Sequence, residues 1–144
     1  MKKKFALGLI SICYVTFSWG QSKKVSINAV KTGVFYYYPT DSNESFSIVR
    51  DDSLQKETNL TTGVSSFWQV KWVNDSIVNL RYLSRTNKIS AAEELFYNSH
   101  SVVTHIKNVT RDYYTFRGGL DSINGLGSTQ DTLWRKTKKN IISR

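Results

Sequence analysis

An all-β fold, laid out as an antiparallel meander, is the prediction of three features of this sequence. Short runs of β-branched and aromatic residues alternate with polar residues at a period of two, the repeat of a strand with one buried face. Clusters of Asn, Asp, Ser and Gly separate those runs at hairpin spacing. No strand–helix–strand alternation is present, so a parallel sheet is not expected. Seven or eight short strands and at most one short helix follow. Sequential hairpins of this kind either close into a lipocalin-like barrel or curl as an open sheet over their own core, and both solutions leave few edges exposed.

The first twenty residues stand apart from that pattern. Met1-Lys2-Lys3-Lys4 is followed by an apolar run from Phe5 through Phe17 and then by Ser18-Trp19-Gly20. A basic start, a short apolar stretch and small residues before a cut describe a secretory signal peptide, with cleavage expected after Gly20. The apolar run is short of the roughly 20 residues that a spanning helix needs. A lipoprotein signal with Cys13 as the lipid-bearing residue is the rival; against it, Ile12 stands where a small residue is wanted and apolar sequence continues past Cys13. The expected organisation is a signal peptide over 1–20, one β-domain over 21–135 and a basic flexible tail over 136–144. The destination is then the periplasm or the medium. Cleavage would remove the only cysteine, so the exported chain would fold without disulfides or thiolate chemistry.

Within the domain, 21–26 is a polar, extended lead-in. Lys31 to Tyr38 forms a strand stopped by Pro39. Turn residues 40–45 lead to a strand over Phe46–Arg50, Asp51-Asp52-Ser53 makes a turn, and Leu54–Thr58 is a short third strand. A loop over 59–65 precedes the clearest stretch of the chain, a hairpin over Ser66–Leu83. After it, Ser90-Ala91-Ala92-Glu93 fits a capping box that starts a short helix running to Tyr97, with a strand beginning at Leu95-Phe96-Tyr97 as the alternative. Val102–Lys107 and Tyr113–Arg117 are two further strands joined near Thr110 to Asp112. Gly118–Gly127 reads as a glycine-rich loop, and Thr129–Arg135 closes the domain as its last strand.

The hairpin register can be derived from burial. A two-residue turn at Asn74-Asp75 would pair Trp72 with Ile77, Val70 with Asn79 and Trp68 with Arg81, mixing polar and apolar groups on both faces. A three-residue loop centred on Asp75 pairs Trp72 with Val78, Val70 with Leu80 and Trp68 with Tyr82. One face is then wholly apolar. A one-residue slip exchanges the faces of a whole strand, so this second register is predicted in spite of the turn propensity of Asn-Asp.

The formal charge of +9 sits at the two ends. Lys2, Lys3 and Lys4 leave with the signal peptide. Arg135, Lys136, Lys138, Lys139 and Arg144 crowd the last ten positions, and the body between is close to neutral. Such a tail either seeks anionic surfaces or is a solvated end, and the body lacks the basic stripe of a nucleic-acid protein. His105 falls on the polar face of its strand with Val103 and Lys107. His100 lies in a loop without ligand spacing to it. Asp51-Asp52 and Glu93-Glu94 belong to a turn and a helix start. Gly118-Gly119 and Gly125-Leu126-Gly127 lack the Gly-Lys-Ser/Thr ending of a phosphate loop. Tyr36-Tyr37-Tyr38 and Tyr113-Tyr114 could stack bases or sugars, but alternation assigns half of each run to the core. The Asn-x-Ser/Thr triplets at Asn43, Asn59, Asn74 and Asn108 decide nothing. No catalytic, cofactor-binding or metal-binding residue is nominated.

Lys31-Thr32-Gly33-Val34-Phe35, Ile48-Val49-Arg50-Asp51-Asp52-Ser53 with Gln55 and Glu57, Val70-Lys71-Trp72-Val73-Asn74-Asp75, Tyr114-Thr115-Phe116 and Asp131-Thr132-Leu133 occur in this order. In these motifs the chain resembles a group of small exported proteins of unknown function from Gram-negative bacteria. Relatives in that group often carry a cysteine after Asn-Asp, where this chain has Ser76. Some bear names inherited from DNA topoisomerases, which nothing in a small exported chain without a nucleotide or metal motif supports. The resemblance therefore implies export, and no function carries over from it. The leading expectation is a non-catalytic β-domain that binds a small apolar ligand or a partner surface. The alternatives are an envelope adaptor whose basic tail meets anionic lipid or polysaccharide, and an enzyme that uses surface carboxylates such as Glu57 and Asp131.

Overall fold

The computed structural model describes residues 25–121 and 129–137. The signal-peptide expectation over 1–20 and most of the basic tail lie outside these residues. Eight strands run in chain order: β1 (Gly33–Tyr37), β2 (Phe46–Arg50), β3 (Leu54–Asn59), β4 (Ser65–Trp72), β5 (Ile77–Arg85), β6 (Ser101–Val109), β7 (Tyr113–Leu120) and β8 (Thr129–Trp134). Each strand is antiparallel to the next, and β1 also pairs with β8. The meander is therefore a closed barrel and not an open curled sheet. One α-helix, α1 (Ala91–Ser99), interrupts the meander between β5 and β6. No helix among the described residues is long and apolar enough to cross a membrane.

The hairpin takes the register that burial demands. Trp72 faces Val78, Val70 faces Leu80 and Trp68 faces Tyr82. Val73 N–H bonds the Ile77 carbonyl at 2.9 Å and closes the three-residue loop around Asp75. Val70, Val78 and Leu80 form a buried cluster, with Trp68, Trp72 and Val102 packed against it. A bulge between Phe67 and Trp68 shifts the outer end of the pair, adding local bend to β4 where the barrel wall must curve. Helix α1 begins with the predicted capping box. The Ser90 hydroxyl accepts from Glu93 N–H, and the Glu93 carboxylate accepts from Ser90 N–H. The helix runs two residues beyond the expected end at Tyr97.

Two segments differ from expectation. Gly118 and Gly119 belong to β7, paired with Thr104 and Val103. Their missing side chains read as loop in sequence. In the barrel, Gly118 is buried beside the Phe116 ring, and a Cβ there would meet that ring in ordinary contact at 3.5 Å. Ile27–Val30, unassigned in sequence, forms a 3-10 helix capped by Ser26, whose hydroxyl accepts from Asn28 N–H.

That 3-10 helix plugs one end of the barrel, here called the base. Val30 is fully buried among Phe35, Ile48, Ile106, Tyr114 and Leu133, and burying an aliphatic side chain of this size contributes about 1.5–3 kcal/mol. Two arginines tie the plug down. Arg50 donates to the Val30 carbonyl at 3.2 Å and Arg135 to the Ala29 carbonyl at 2.7 Å. The base also holds three tight turns of one chemistry. The side chains of Asp51, Asn74 and Thr110 each accept from backbone N–H groups two and three residues on, the local bonding that makes Asx and Ser/Thr residues good turn formers. The opposite end, the mouth, carries the longer connections over 38–45 and 60–64, helix α1, and the β7–β8 link, most of which lies outside the described residues.

Candidate binding site

Pairing dictates which side chains share the interior. In β1 and β2, Phe35 and Ile48 face each other and are buried, so Tyr37, Phe46 and Arg50, of the same parity, also point inward. Ile48 and Arg50 in turn face Glu57 and Gln55 across β3. On the far side, Tyr114 faces Leu133 and Phe116 faces Asp131, placing Asp131 inside as well. The two carboxylates expected at the surface, Glu57 and Asp131, are therefore barrel-interior residues. Strand β3 misleads because it inverts the usual amphipathic rule. Its only large apolar residue, Leu54, shares the outward parity with Lys56 and Thr58, while Gln55, Glu57 and Asn59 face in.

These polar groups form two short networks. Arg50 donates from Nε to Gln55 Oε1 at 2.5 Å, and Gln55 Nε2 donates to Glu57 Oε1 at 2.6 Å. Gln55 is thus a dipolar spacer between a buried cation and a carboxylate, and its amide orientation is set by both. Arg50 and Gln55 are buried, and the Arg50 guanidinium lies over the Phe35 ring, 5.7 Å from its centroid. Burial pushes the Glu57 carboxyl up from its ordinary value; the Gln55 hydrogen bond and the Arg50 charge only partly oppose that shift. In the second network Tyr37 donates its hydroxyl to Asp131 Oδ2 at 2.7 Å. Burial first, then the Asp131 bond and the charges of Asp131, Asp41 and Glu57, hold the Tyr37 phenol well above its usual value. Tyr37 is neutral and a committed donor.

Aromatic rings surround both networks. Tyr37 lies 6.1 Å from Phe46 and 6.4 Å from Phe116 between ring centroids. Trp68, Tyr82 and Tyr97 form a second group, with Tyr82 stacked on Tyr97 of α1 at 4.9 Å. The helix therefore contributes one aromatic to the lip of the mouth, while its Leu95 and Phe96 face outward and exposed.

Among the described residues, the interior polar atoms without a hydrogen-bond partner in the chain include Trp68 Nε1, Trp72 Nε1, Tyr114 Oη and Arg135 Nε. The Tyr114 hydroxyl lies beside Arg50 and within the field of Glu57, and Trp68 Nε1 lies near the Glu57 carboxylate, each outside good hydrogen-bond geometry.

The histidines stand where sequence put them. His105 is exposed on the outer face opposite Ile77 and Arg117. His100 ends α1, with Nδ1 2.8 Å from the Phe96 carbonyl. Of the tyrosine runs, Tyr37 and Tyr114 point inward, while Tyr113 packs on Trp134 at 5.0 Å. The basic tail is anchored at its start: Lys136 pairs with Asp112 at 3.1 Å, so its first residue belongs to the base. Among the described residues no group of three or more His, Cys, Asp or Glu side chains converges to hold a metal. Arg50, Gln55 and Tyr37, given no interior role by the sequence, pair with or share parity with inward residues such as Ile48 and Phe35, and that pairing was the available signal. Comparison with protein-family models, with curated proteins and with solved structures finds no match for the chain. Function must therefore be read from the barrel itself.

Proposed function

We propose that this chain is an exported, non-catalytic binding module that takes a small, largely apolar molecule into the mouth half of its barrel. One observation carries the reading. Val30, Phe35 and Tyr114 are buried in the base half of the interior, whereas the inward-facing Tyr37, Phe46, Glu57, Trp68, Phe116 and Asp131 stay half-buried. A closed barrel whose inward side chains stay half-buried toward its mouth offers a cup there. Rings from β1, β2 and β7 give that cup an apolar wall. The few polar groups inside are the kind that fix the orientation of a ligand. The role of the plug is to seal the base, and that of α1 is to shape the lip through Tyr97. Release into the periplasm or the medium is proposed with it, from the basic start and apolar run of the first twenty residues.

Native mass spectrometry of protein purified from its own host, together with binding of an anilinonaphthalene dye followed by the dye's own emission, tests the reading. Copurification of a small molecule, or a dye bound one to one and lost on Phe116→Trp, is the expected result. A bare mass combined with a dye that ignores the interior substitution would remove it.

A further inference from the structure

At the base, a groove of about 640 Å³ lies between the lead-in to the plug, at Val25 to Ile27, and the end of the β6–β7 hairpin. Pockets of this size hold small molecules. Its apolar walls are fixed by packing: Ile27 packs against the buried cluster around Val30, and the Tyr113 ring lies against Trp134, 5.0 Å between centroids. Its polar side is made by a β-bulge. Ile106 pairs with Phe116 and Asn108 with Thr115, so Lys107 is the extra residue of β6. Neighbours in a regular strand point to opposite faces. The bulge overrides that rule, because Lys107 and Asn108 are both exposed and both line the groove. Bulges occur beside active sites for this reason, that they re-aim a side chain. Two other polar groups of the lining are engaged locally. Thr110 Oγ1 donates to the Tyr113 carbonyl at 2.8 Å and accepts from two backbone N–H groups, and Ser26 caps the plug. Lys107 is the one ionic side chain of the lining, and among the described residues it has no ion-pair partner. Other cations of the base are answered: Lys31 by Asp75, Lys136 by Asp112, and Arg50 and Arg135 by the plug carbonyls.

We infer that this groove binds a small carboxylic acid, its carboxylate on the Lys107 ammonium and the Asn108 amide and its apolar body against Val25, Ile27 and Tyr113. The physical case is complementarity of charge and shape. An ionised carboxylate is an acceptor only, and the Lys107 ammonium is a donor only. Hydrogen bonds between charged partners are the stronger kind. The carboxylate of Asp112, the acidic residue nearest in sequence, is already held by Lys136 and does not compete for Lys107. An amine head would meet Lys107 as a like charge, and a neutral head would gain nothing from its charge. The groove faces outward at the base, so it stands apart from the interior site proposed above.

The test titrates octanoate, octanol and octylamine into the full chain at pH 7, followed by calorimetry and by backbone amide NMR shifts. Octanoate is expected to bind tightest and to shift the amides of 25–27 and 107–113. Lys107→Met, which keeps the stem and removes the charge, should weaken octanoate about fivefold and leave octanol unchanged, while Lys107→Arg should retain binding. Octanol or octylamine binding as tightly as octanoate, or octanoate indifferent to Lys107→Met, overturns the inference. Shifts confined to the inward-facing Tyr37, Phe46 and Phe116 overturn it too, and leave the interior reading standing. If none of the three binds, the groove inference fails, and the interior reading is decided by its own dye experiment. Lys107 is exposed, so its variants test charge and not folding; the ranking of the three ligands on the unaltered chain is decisive in any case.

Discussion

Glu57 holds its carboxyl group inside the barrel against the pull of water. Burial raises its pKa above the ordinary 4.5, so the folded chain binds this proton more tightly than the unfolded chain does. Its contribution to stability is fully present below the unfolded value and is lost as pH rises through the raised folded value. Glu57→Gln removes that loss. The variant should melt higher than the parent at pH 8 and level with it at pH 4, as followed by circular dichroism. A lower melting temperature at pH 8 would mean that Arg50, acting through Gln55, compensates the ionised form in full. Tyr114 poses the converse case. Its hydroxyl is buried and unpaired in the chain, so Tyr114→Phe removes a desolvated group and no hydrogen bond. Urea unfolding of the ligand-free protein should show stability unchanged or raised by up to about 1 kcal/mol. A loss larger than that would reveal a bond to the hydroxyl.

At the scale of elements, the plug and the helix contrast. The plug is short but central, since Val30 is enclosed on every side. Val30→Ala deletes two buried methyl groups and leaves a cavity, so it should cost about 2–3 kcal/mol in global unfolding free energy. The helix is longer yet peripheral, with no fully buried residue. Ser90→Ala breaks the capping box and should cost the helix about 1 kcal/mol. That loss belongs to α1 alone. Hydrogen exchange should quicken across 91–99 while the global melting temperature stays nearly fixed; a matching fall in the melting temperature would make the helix part of the cooperative core. Backbone geometry matters at one strand start. Gly33 holds φ at +131°, a region that side chains disfavour, so it opens β1 where another residue would strain.

For the molecule as a whole, closure depends on its weakest seam. β1 and β8 share two paired positions, Tyr36 with Trp134 and Tyr37 with Leu133, whereas β4 and β5 pair along nearly their whole length. The barrel should open first at this seam, with the Tyr36 and Tyr37 amides exchanging before those of Val70 and Leu80. Uniform protection around the barrel would contradict this. The seam also adjoins the Tyr37–Asp131 bond, so a ligand held there would bridge β1 and β8 and slow the same amides.

Strand positions, the hairpin register and the capping box were legible because each depends on neighbours a few residues away. Alternation in Trp68-Gln69-Val70-Lys71-Trp72 names a buried face, and Ser90 with Glu93 names a helix start. The inner lining was not legible in the same way. Parity tells that Arg50 travels with Ile48 and Glu57 with Gln55, but not which parity looks inward when both carry polar groups. That choice was made by closure of β1 on β8 and by the plug, through contacts between residues far apart in the chain, such as Arg135 with Ala29 and Tyr37 with Asp131. The sequence by itself determined an antiparallel β-meander with its turns and hairpin. Only the tertiary structure decided that the meander closes, that a 3-10 helix packs into its base, and that two carboxylates face inward among aromatic rings, because a barrel's inside exists only once its first and last strands meet.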